Sequence, residues 1–116
     1  MVELHPSPVL ASAFTVDVDD ALQIRELTHH VAHHVGAEAC AALREFLANV
    51  REHCTRKDVQ IVELPSLLVA YDHGGGIVDY HSHKPDGEGG YGISIMRALG
   101  ADLRGWEEGT MFVMVV

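Results

Sequence analysis

Apolar residues change their spacing part-way along this chain, and that change limits the folds open to it. Leu22, Ile24, Leu27, Val31 and Val35 recur two to four positions apart, the repeat of one helix face. "DVDD" at 17–20 stands just before them and offers an N-cap with acidic first-turn residues. The spacing predicts an amphipathic helix of about five turns, ended by Gly36. Residues 37–54, "AEACAALREFLANVREHC", are good helix formers with Leu43, Phe46, Leu47 and Val50 at helical intervals. They extend the helical reading, as a second helix or as a continuation of the first.

Beyond the polar break "TRKD" at 55–58 the pattern turns β-branched. "VQIVEL" at 59–64 alternates and reads as a strand stopped by Pro65. "SLLVAYD" at 66–72 fits a strand or a short helix, and "IVDYHSH" at 77–83 fits a strand. "TMFVMVV" at 110–116 is apolar throughout, as in a buried strand. "PVLASAFTV" at 8–16 is a short strand or an extended lead-in. "ISIMRALGA" at 93–101 has no decisive pattern, and "DLRGWEEG" at 102–109 reads as turns or one helical turn. The expectation is one α/β or α+β domain over residues 1–116, helical first and mostly strands afterwards.

A formal charge of −9, from 17 acidic and 8 basic residues, opposes a phosphate-gripping nucleic-acid binder. It equally opposes attachment to an anionic membrane, and no apolar run has the length of a span. "MVELHPSPVL" lacks a basic segment followed by an apolar one, so no secretory leader is expected. Two cysteines, Cys40 and Cys54, are too few for a disulfide framework and fit a reducing compartment. Cytoplasmic residence is the expectation.

Histidine is the compositional oddity, with nine in the chain. His81 and His83 are one residue apart on the expected strand, so both project from one face while Ser82 projects from the other. Two neutral imidazoles so placed can take two positions of a zinc ion. A catalytic zinc needs a third protein ligand and an open position, and Asp86, Glu88 and Asp102 are the downstream carboxylates available.

"GIVDYHSHKPDG" resembles the metal-binding segment of the JAMM (JAB/MPN) metalloprotease family, in which an apolar strand runs into His-Ser-His-Pro and a later Ser-x-x-Asp. "AHHVGAEACAAL" is similar to the family segment that carries its catalytic Glu, and "ADLRGWEEGTMFVMVV" to the stretch where the ligand Asp opens a short helix before a strand. The likeness covers most of residues 20–116 and is greatest to the short prokaryotic and phage-tail members. It implies a JAB/MPN-like fold: an N-terminal helix, then a mixed β-sheet with a short helix near the metal site. It also implies Zn²⁺ held by His81, His83 and Asp102, with Glu38 as general base. Ser94 is the serine available for the family's stabilising role. The implied substrate is a protein or peptide: the tail of a ubiquitin-like or sulfur-carrier protein, or a peptide at a phage tail, which would make the chain virion-associated.

The chain departs from the family pattern in several places, among them Ala41 where the family has Gly and a helix-forming 37–54 where the family has a strand. Lys84 separates His83 from Pro85, Asp102 lies nineteen residues beyond His83, and Leu99 occupies the serine slot before Asp102. These departures favour a second expectation, a structural or interaction module without catalysis, such as a tail-assembly protein. "HHVAHH" sets His29/His33 and His30/His34 at i,i+4 on one helix. It reads mainly as a half-exposed helix face, with a metal or pH-sensing site as the alternative. Cys40 reads as a small buried hydrophobe, "GEGGYG" at 87–92 as a flap over the site, and Trp106 as packing.

Overall fold

A computed structural model describes residues 12–73, 91–106 and 109–116. The elements run β1 (Ser12–Asp17), α1 (Ala21–His34), α2 (Ala37–His53), β2 (Asp58–Leu64), β3 (Leu67–Asp72), α3 (Tyr91–Ala98), β4 (Ala101–Trp106) and β5 (Gly109–Val115). The strands form one sheet in the order β1-β2-β3-β5-β4. Among the described residues every pairing is antiparallel, where a mixed sheet was expected. The domain is therefore α/β in content, with helices on one face of an antiparallel sheet.

Local chemistry explains the helix boundaries. The Asp20 side chain accepts from the backbone N–H groups of Leu22 (3.0 Å) and Gln23 (3.2 Å), so two orphan donors of the first turn are satisfied. At the other end the N–H groups of Val35 and Gly36 both donate to the Val31 carbonyl, at 2.8 and 2.9 Å. Gly36 has φ +143°, a conformation open to glycine and strained for any residue with a Cβ. Its carbonyl accepts from Cys40 N–H at 3.0 Å and so begins α2. The two helices are thus separate.

Propensity correctly indicates a helix over most of 37–54, where the family resemblance implies a strand. Residues 66–72 resolve in favour of strand, because β3 is held between β2 and β5. Residues 91–98 are helical, including two positions read as loop. Residues 101–106 form an edge strand, not the helical turn expected at Asp102. The expected strand at 77–83 lies outside the described residues, as does most of the glycine-rich stretch.

Alternation along the strands assigns the faces. Val16, Val59, Ile61, Leu68, Ala70, Phe112, Met114, Ala101 and Leu103 are buried and point to the helices. From α2, Ala39, Ala42, Leu43, Phe46, Leu47 and Val50 are buried, with the Phe46 and Phe112 ring centroids 5.5 Å apart. α2 is the central helix and packs against α1, α3, β3 and β5, while α1 covers β1 and α3 covers β4. The opposite sheet face carries Gln60, Val62, Val69, Tyr71, Asp102, Arg104, Met111 and Val113.

Candidate functional site

Glu38 lies in the first turn of α2. Its side chain is exposed and is in no hydrogen bond or ion pair with a described residue. On a helical projection it shares a flank with Glu45 and Asn49. Cys40, Leu47 and Arg51 occupy the other flank, where Cys40 Sγ donates to the Thr28 carbonyl of α1 at 3.3 Å. The Glu38 flank is therefore the one left for α3. Ser94 is on α3, exposed between buried Ile93 and Met96.

Asp102 is placed differently. It is paired with Val113 on edge strand β4, between buried Ala101 and Leu103. Its side chain consequently projects from the outer face, away from the helices. There Arg104, two residues on and on the same face, donates Nε–H to Asp102 Oδ2 at 3.0 Å. The Asp102 side chain is half exposed, and the pair has the geometry of an ordinary surface ion pair. The sheet stands between Asp102 and the helix layer that bears Glu38 and Ser94. Those two residues and Asp102 do not fit a single small site.

His81, His83, Asp86 and Glu88 lie outside the described residues. Among the described residues no three His, Cys, Asp or Glu side chains are gathered as a metal cage.

One carboxylate escaped the reading of the sequence. Asp72, the last residue of β3, is fully buried and, by the alternation of Leu68, Ala70 and Asp72, faces the helix side. Gly109 makes room for it: a Cβ there would overlap the Asp72 carboxylate and come 2.7 Å from the Asp72 carbonyl. That carbonyl accepts Trp106 Nε1–H at 3.0 Å. Trp106 itself packs edge-on to Tyr71 and His73 on the outer face, with ring centroids 5.2 Å away in each case. The signal for Asp72 in the sequence is a charge at an inward position of "LLVAYD".

A second charged group on the helix side is Glu63 of β2, opposite Leu68. It meets His30 of α1, with Nε2 and Oε1 3.1 Å apart. A groove between α1 and α2 is lined by Arg25, Arg44 and Arg51 together with Asp19 and Glu52. Glu38, Ser94 and Asp102 do not border it.

No protein-family model and no curated protein matches this chain. No helix among the described residues is long and apolar enough to cross a membrane.

Proposed function

We propose that this domain is a zinc-dependent hydrolase of peptide or isopeptide bonds, of the JAMM-like kind. Its substrate would be a protein or peptide, such as a ubiquitin-like or sulfur-carrier tail or a phage-tail-associated peptide. The observation that carries the proposal is "HSH" at 81–83, two imidazoles at ligand spacing, nine and eleven residues after the buried carboxylate of Asp72. Glu38, exposed in the first turn of α2, supports it as an accessible proton acceptor. Cytoplasmic or virion-associated residence belongs to the same reading.

His81 and His83 would hold the ion. Zinc, when bound, supplies a Lewis acid that brings the pKa of a water towards neutrality. Glu38 would take a proton as general base and return it to the leaving amine. Asp102 as third ligand rests on the resemblance alone, since its side chain faces away from the α2 layer and is engaged by Arg104. Ser94 as a stabilising group likewise rests on the resemblance.

The same Asp102–Arg104 pair favours a second reading, a JAB/MPN-like interaction module without catalysis. One experiment separates the two. Purified chain dialysed against a chelator that strips weakly held metal should keep one zinc per molecule, and His81→Ala/His83→Ala should lose it. Glu38→Gln should then retain zinc and lose hydrolysis of a ubiquitin-like fusion. A chain that holds no zinc after that dialysis, or a double variant that keeps it through the same dialysis, sinks the hydrolase and leaves the interaction module.

A further inference from the structure

The histidines of α1 take no part in the proposed function, yet they are not scattered. His30 and His34 stack with ring centroids 4.5 Å apart and planes inclined by 35°. His29 and His33 lie at 4.8 Å but edge-on, at 89°. An ion about 2.1 Å from one nitrogen of each ring requires ring centres within a few ångströms of each other. Both pairs meet that requirement.

A second observation distinguishes His30. Its Nε2 faces Glu63 Oε1 at 3.1 Å across the α1–β2 contact, with the two side chains 32% and 18% exposed. In the tautomer that carries its proton on Nε2, His30 donates to the Glu63 carboxylate. In the neutral ring Nδ1 is then left with a free lone pair. A carboxylate holding the far N–H of a ligating imidazole is the usual outer support of a metal-bound histidine. Among the described residues no hydrogen-bond partner reaches the buried Glu63 Oε2. Phe14 packs against the same ring, centroids 5.1 Å apart, and restricts its orientation. His29 and His33 have no comparable carboxylate among the described residues.

We propose that His30 and His34 form a two-imidazole site for a divalent transition-metal ion, with Glu63 as the positioning residue that holds the tautomer of His30. Water completes the coordination, so the site is open and exchangeable. Imidazole donors suit Zn²⁺, Ni²⁺ and Cu²⁺.

Zn²⁺ titration of the full-length chain against a chelating dye tests this, starting from the His81→Ala/His83→Ala variant so that only the helix site is read. That background should still bind one Zn²⁺. Adding His34→Ala, at an exposed position, should weaken binding at least about tenfold. Glu63→Gln should weaken it by about ten- to a hundredfold, the usual effect of removing an outer carboxylate. His29→Ala/His33→Ala should leave affinity unchanged. No zinc binding in the background, unchanged affinity in His34→Ala, or a loss confined to His29→Ala/His33→Ala overturns the site. Unchanged affinity in Glu63→Gln overturns the role given to Glu63.

Discussion

Asp72 and Gly109 illustrate how much a single missing methyl group can decide. The Asp72 carboxylate is buried against the backbone of β5 at the one place where the facing residue has no Cβ. Gly109→Ala puts a carbon where that carboxylate is, and overpacking of this kind costs about 1–3 kcal/mol. Urea denaturation of the variant should show the loss, and a midpoint equal to that of the parent would rule the close approach out. Asp58 offers a test of a different kind. Arg56 donates Nε–H to Asp58 Oδ1 at 2.9 Å and Nη2–H to Oδ2 at 2.6 Å. The Arg56 hydrogen bonds hold the Asp58 carboxyl below its ordinary value of 3.8. A lowered folded pKa means that the contribution is complete above the ordinary value and is lost as pH falls through the folded one. Because the Asp58 side chain is 36% exposed, screening limits the contribution to about 1 kcal/mol or less. Arg56→Ala should shift the Asp58 carboxyl titration upward in NMR, and an unmoved titration would remove Arg56 as the cause.

At the level of the element, the two N-terminal helices owe their limits to local groups and their existence to packing. Asp20→Ala leaves the N–H groups of Leu22 and Gln23 without their side-chain acceptor, which costs about 1 kcal/mol. Thermal unfolding followed by circular dichroism should register a lower midpoint, and no change would mean that Gln23 or water caps the turn as well. Both helices were legible because their apolar residues keep a 3.6-residue period and their boundary residues act on immediate neighbours. The strand β2 was legible by its period-two alternation and β5 by its continuous apolar run. β4 was not. "ADLRGW" carries Gly and an i,i+2 Asp–Arg pair, and what makes it extended is its register against β5, the next strand in the chain. α3 was not read as a helix because Tyr91 and Gly92 follow a glycine-rich stretch and 93–101 has no decisive pattern, while the burial of Ile93 and Met96 under α2 is what rewards a helix there.

Across the whole molecule, the decisive fact is which face of the sheet each side chain meets. Three helices cover one face, with α2 in the middle, and the acids divide accordingly. Glu63 and Asp72 point inward to the helix layer, whereas Asp102 points outward to Arg104. The sequence by itself determined the helical first half, the main strands, and the residue types able to bind metal, because periodicity, caps and donor chemistry are properties of short segments. It also placed His30 and His34 one helical turn apart, since that spacing belongs to the helix alone. Only the tertiary structure decided that Glu63 supports His30, that Asp72 is buried over Gly109, and that Asp102 is across the sheet from Glu38. Those relations depend on strand order and on the inward or outward sense of each strand. A shift of one residue in register reverses that sense for every side chain on the strand, and no local window of sequence fixes it.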